Sequence, residues 1–167
     1  SEPGASFSGM LVVDGFSTFF RILVYGCGLL TVLMSVDYFS RERGSESGEY
    51  YALVVFSLVG QSLMASANEL VLIFIGLEVS SIAGYIMAGY LRDDKRNNES
   101  ALKYFLLGSF ATAFMLYGVA WIYGLTGSTN LDTVRRAILG GSLEQSGQML
   151  LIATVLMFVG FAFKISA

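Results

Sequence analysis

The stretch LVLIFIGLEVSSIAGYIMAGY, residues 70–90, decides the fold. It holds 21 apolar and small residues with one acidic side chain, Glu78, near its middle. A helix of that length crosses the hydrocarbon core of a bilayer. A carboxylate near the midplane costs about 2.5–3.5 kcal/mol on insertion scales, so a partner must offset it. Two lysines also lie inside apolar runs, Lys103 and Lys164. Three charges at hydrocarbon depth point to ion translocation.

Working outward, Gly76, Ser80 and Gly84 recur every four residues, a stripe on which a second helix can pack closely. Glu78 falls on another face, with Ser81 and Tyr85 at i+3 and i+7. Upstream, residues 50–67 form a span joined to 70–90 by a tight turn at Asn68–Glu69, a helical hairpin. Before the polar loop 40–49 comes a first span over residues 16–39, capped by Asp14 or Ser17. Arg21 reads as a side chain snorkelling to the interface, and Cys27 as packing. Residues 1–13 read as a loop end broken by Pro3 and Gly4.

Downstream, LRDDKRNNE (91–99) is the most charged loop, and residues 100–125 form a fourth span with Gly108 and Thr112 as close-approach residues. Lys103 lies near the start of that span, where snorkelling competes with a role in transport. In TNLDTVRRAIL (129–139), Leu131, Val134 and Ile138 line one face, so residues 130–139 suit an interfacial helix capped by Thr129 or Asn130. A fifth span covers 149–167, with Lys164 about 22 Å along it at 1.5 Å per residue.

Composition supports this all-α, polytopic reading: hydrophobic residues make up 54% and charged residues 14%, with mean hydropathy +0.65. Histidine is absent and Cys27 is the only cysteine, which excludes a disulfide within the chain and a His- or Cys-based metal site. The glycines of 84–90 and 124–128 lack the strand–turn–helix context of a nucleotide loop, and no nucleophile triad is present. No redox chemistry, bound cofactor or nucleic-acid partner is expected of the chain itself. Arg41, Arg43, Arg92, Lys95 and Arg96 fall on one side and only Arg135 and Arg136 on the other, which places loops 40–49 and 91–99 in the cytoplasm and the amino-terminal segment outside. Burial lowers a lysine's pKa and a nearby carboxylate raises it, so a Glu78–lysine pair could switch protonation as its members separate. The bland alternative for Glu78 is a protonated carboxyl held by a serine or a backbone carbonyl.

Residues 49–90 followed by 99–131 resemble the antiporter-like membrane subunits of respiratory complex I. The GLE of 76–78, the ALKYFLLGS of 101–109 and the GFAFK of 160–164 stand in family order. The resemblance implies that Glu78 pairs with a central lysine, Lys164, and that Lys103 is the lysine of the neighbouring helix, the three forming one half-channel for protons. It also implies inverted five-helix repeats, the fourth helix of the first being broken near its lysine. Implied partners are the other membrane-arm subunits, among them a sibling antiporter-like subunit, and the lipid of a bacterial inner membrane. Quinone, flavin and iron–sulfur clusters would lie in partner subunits. The family's proline and histidine after the lysine, and its second repeat, are absent here, so the expectation is an internal fragment that does not transport protons alone. Two rivals stand beside this reading: a subunit of a multi-subunit sodium/proton antiporter, and a structural membrane subunit with static charges. A soluble enzyme is the remote alternative.

Overall fold

A computed structural model of the chain describes residues 4–7, 9–42, 48–141 and 146–165. The stretch 43–47 with Arg43, the side chain of Arg41, residues 1–3 and 142–145, and the last two positions of the fifth span lie outside the described residues. A short antiparallel pair, β1 (Gly4–Ser6) and β2 (Leu11–Val13), is followed by α1 (Gly15–Glu42), α2 (Gly48–Ser66), α3 (Leu70–Ala88), α4 (Lys95–Thr126), α5 (Leu131–Leu139) and α6 (Gly147–Lys164).

The β pair corrects the expectation of an irregular start. Phe7 and Gly9 take positive φ angles of 53° and 83°, which turns the chain so that Leu11–Val13 folds back on Gly4–Ser6. The strand β2 is then pinned to the α2–α3 turn, where Asn68 N donates to the Met10 carbonyl at 2.8 Å.

Among the described residues four helices, α1, α3, α4 and α6, are long and apolar enough to cross a membrane. The helix α2 has the length, 19 residues, but carries Ser57, Gln61, Ser62 and Ser66. Those groups are turned inward. Ser57 and Ser80 hydroxyls lie 3.1 Å apart between α2 and α3, and Gln61 Nε2 donates to Ser57 at 3.1 Å. Antiparallel pairing brings Gly60 against Gly76 and Tyr50 against Tyr90, so α2 runs the length of α3. At the crossing the backbones touch: a Cβ on Gly76 would lie 2.8 Å from the Gly60 carbonyl oxygen. The small-residue stripe on α3 therefore faces α2 at Gly76 and Ser80, while Gly84 meets nothing within 4 Å.

Arg21 does not simply reach for the surface. Its Nε donates to Ser62 Oγ at 3.2 Å, and Ser62, 5% exposed, lies 2.8 Å from Tyr25 Oη. A buried hydroxyl on α2 gives the guanidinium a partner that the sequence of α1 alone does not contain. By contrast α1 leaves Phe16, Phe19, Ile22, Leu29, Leu33 and Met34 exposed, a surface suited to lipid.

The fourth helix starts earlier than 100, at Lys95, because Asp94 caps it: its carboxylate accepts from Arg96 N at 2.8 Å. The helix α5 is capped by Asn130, whose Oδ1 accepts from Thr133 N at 3.2 Å. Its Val134 packs with Leu70, Val119, Ile122 and Ala153 in a buried apolar cluster, with Trp121, Leu131, Leu150 and Met157 around it.

Candidate proton-handling site

The site forms where α3, α4 and α6 meet. From α3 come Glu78, Ser81 and Tyr85, which share a face because three and four residues are close to one helical turn. Lys164 is the last residue of α6. Its Nζ lies 3.6 Å from Glu78 Oε1, with side-chain exposures of 13% and 23%.

The ammonium makes its hydrogen bonds elsewhere. Lys164 Nζ donates to Tyr85 Oη at 2.6 Å and to Ser81 Oγ at 2.8 Å, and lies 5.1 Å from the Tyr85 ring centroid. Ser81 Oγ in turn donates to the Leu77 carbonyl at 2.7 Å. Glu78 Oε1 is 3.0 Å from Thr112 Oγ1 of α4, and the same hydroxyl lies 2.8 Å from the Gly108 carbonyl. Tyr85, 5% exposed, packs on Gly108, where a Cβ would stand 2.6 Å from its Cζ, and edge-on against Tyr104 and Phe105.

The structure thus joins Glu78 to Lys164 and leaves Lys103 out. Lys103 pairs with Glu99 one turn earlier on α4, at 2.5 Å, with side-chain exposures of 69% and 64%. Geometry accounts for this. Thr112, which faces Glu78, is nine residues on, and at about 100° per residue that puts Lys103 on the opposite side of α4. Of the three charges singled out in the sequence, the structure brings Glu78 and Lys164 together, while Lys103 stands with Glu99.

Sequence reasoning placed Ser81 and Tyr85 on the Glu78 face, and read Gly108 and Thr112 as packing. Thr112 and Tyr85 are polar partners of the pair as well. Among the described residues no group of three or more His, Cys, Asp or Glu gathers to hold a metal ion. Chemically, the arrangement offers a carboxylate, an ammonium and three hydroxyls within hydrogen-bond reach, a set suited to moving protons between charge states.

A family model described as NADH:quinone oxidoreductase/Mrp antiporter, transmembrane, matches residues 67–167, which include both members of the pair. The chain belongs to this family. Its antiporter-family relatives include NADH-quinone oxidoreductase subunit N 1 of Solibacter usitatus, 58% identical over 98% of this chain and 33% of the relative. Subunit N of Trichlorobacter lovleyi is 46% identical over 98% of the chain and 33% of the relative. The chain therefore spans about a third of the length of these relatives. Among solved structures, respiratory complex I from Thermus thermophilus with bound aureothin matches with TM-score 0.74 and 34% identity, over 98% of this chain and 33% of that one. A membrane-bound sulfane sulfur reductase, an archaeal respiratory membrane complex, matches with TM-score 0.77 and 25% identity, over 96% and 33%. The resemblance read from the sequence holds, and the chain is a multi-pass, predominantly helical member of the antiporter family.

Proposed function

We propose that this chain is the proton-handling portion of an antiporter-like subunit, subunit N, of a NADH:quinone oxidoreductase. The Glu78–Lys164 pair, 3.6 Å apart and largely shielded, is the observation that carries this reading. Lys164 holds a proton while Glu78 is near and releases it when their separation or hydration changes, because the ammonium depends on its counter-charge at hydrocarbon depth. Quinone reduction in other subunits drives the change. Lys103, with Glu99, stands at the start of α4 as a group that passes protons toward the pair from the side of residues 91–99. The chain holds no cofactor in this scheme: flavin, iron–sulfur clusters and quinone belong to partner subunits. It docks against other membrane-arm subunits, including a sibling antiporter-like one.

Residues 1–167 form one part of a membrane domain in a bacterial inner membrane. Loops 40–49 and 91–99 face the cytoplasm and the amino-terminal segment lies outside, supported by the excess of arginine and lysine on one side.

The test is Glu78→Gln and Lys164→Ala in the complete subunit, in assembled complex reconstituted into liposomes. Each change lowers the number of protons moved per quinone reduced. Unchanged stoichiometry in fully assembled complex contradicts the proposal. The family also covers Mrp antiporters, and sodium-driven proton exchange in a preparation free of flavin and iron–sulfur subunits would favour that alternative.

A further inference from the structure

We propose that Tyr85 is a positioning residue for Lys164, a partner able to satisfy its nitrogen in both charge states without giving up another hydrogen bond. This rests on the reading above, in which Lys164 gains and loses a proton.

Two neutral hydroxyls hold the ammonium in hydrogen-bond range, and the carboxylate does not. Tyr85 and Ser81 stand at 2.6 and 2.8 Å, whereas Glu78 at 3.6 Å is beyond the usual N–H···O range of about 2.7–3.2 Å. The hydroxyls differ in what they can do next. Ser81 gives its proton to the Leu77 carbonyl at 2.7 Å, so it can donate to Lys164 only by breaking that bond. Tyr85 Oη accepts from the ammonium, and its own proton has no acceptor among the described residues. Once Lys164 becomes a neutral amine, that proton can turn to the nitrogen lone pair. The phenol thus reverses its role as the lysine changes charge, and no buried donor or acceptor is stranded.

The fold holds Tyr85 for this. The ring sits on bare backbone at Gly108, where any larger residue would collide with it, and Tyr104 and Phe105 flank it edge-on. Titratable groups facing Lys164 are then Glu78 and Tyr85 from α3, with Tyr104 of α4 behind Tyr85, while Lys103 points away.

The experiment uses the assembled complex in liposomes, with pumping per quinone reduced measured across pH. Tyr85→Phe keeps the ring and removes the oxygen. It weakens both charge states and lowers pumping several-fold across the whole profile. Ser81→Ala chiefly removes an acceptor from the ammonium, so it preserves the maximum and moves the alkaline limb to lower pH. Incorporation of 3-fluorotyrosine at position 85 makes the phenol a weaker acceptor and a stronger donor, and moves the alkaline limb the same way. This substitution also decides the matter where Tyr85→Phe fails to assemble. Wild-type pumping and pH profile with Tyr85→Phe, or with fluorotyrosine, would overturn the proposal and leave Tyr85 a packing residue. Glu78→Gln and Lys164→Ala separate the two ideas. If they abolish pumping while the Tyr85 variants do not, only this inference fails; if they leave it intact, the reading of the pair fails.

Discussion

Thr112 has one hydroxyl proton and two oxygens within reach, Glu78 Oε1 at 3.0 Å and the Gly108 carbonyl at 2.8 Å. It donates to one at a time, so its choice tracks whether Glu78 is a carboxylate or a carboxyl. Thr112→Val keeps the shape and removes a hydrogen bond to a charged group, an interaction of about 1.5–3 kcal/mol. The expected outcome is fewer protons moved per quinone reduced, with reductase activity retained and Thr112→Ser restoring the ratio; equal ratios for valine and threonine would reduce Thr112 to packing. Such partners were the least legible part of the site. Glu78 and Lys164 stand out because a charge inside an apolar run is rare. A threonine or a tyrosine in such a run is ordinary, and only the approach of α4 at Gly108 gives these two their roles. Lys103, near the start of its span, gave a weaker signal than Lys164, and its position on α4 turns it away from the pair.

At the scale of elements, close approach and capping decide the geometry, and both were partly readable. The glycine–serine stripe of α3 announced a tight helix pair, and Gly76 against Gly60 delivers it. A valine at Gly60 would drive into the α3 backbone. Overpacking of this kind costs about 1–3 kcal/mol or more, so Gly60→Val should lower the thermal stability of the solubilised subunit and its yield in assembled complex. The start of α1 carries a reciprocal cap: Ser17 N donates to Asp14 Oδ1 at 2.7 Å and Asp14 N to Ser17 Oγ at 2.9 Å. The Ser17 backbone N–H holds the Asp14 carboxyl below its ordinary value of 3.8. A depressed folded value means the cap's contribution is complete above about that pH and fades as pH falls through the lower, folded one. Amide exchange at Ser17 and Thr18 should therefore accelerate, relative to its intrinsic rate, as pH drops below that of a free aspartate. Asp14→Asn should remove this dependence while preserving a cap. The β pair before it escaped sequence reading because strands of three residues carry too little pattern, and their partner, the α2–α3 turn, lies far along the chain.

Across the whole molecule, the polar pair and the apolar core divide the bundle. Asn68 ties the two halves of the α5 end: its carbonyl accepts from Leu131 N at 3.1 Å, and its Nδ2 donates to Asp132 at 3.1 Å. Below that knot, Leu70, Val119, Ile122, Val134 and Ala153 pack into a buried apolar cluster. The polar pair lies outside this cluster, where Glu78 and Lys164 keep side-chain exposures of 23% and 13%. Hydropathy made the spans legible, but this division depends on which helices touch, and no single helix's sequence contains it. Cysteine labelling checks the arrangement, with Cys27→Ser as background in the complete subunit. Arg135→Cys should react with a membrane-impermeant maleimide added outside intact cells, and Lys95→Cys only once the membrane is opened. Ile122→Cys, 5% exposed in the core, should resist the reagent from both sides. Labelling of positions 95 and 135 from the same face would break the alternation of α4 across the bilayer, and with it the placing of the Glu78–Lys164 pair within a membrane-crossing bundle.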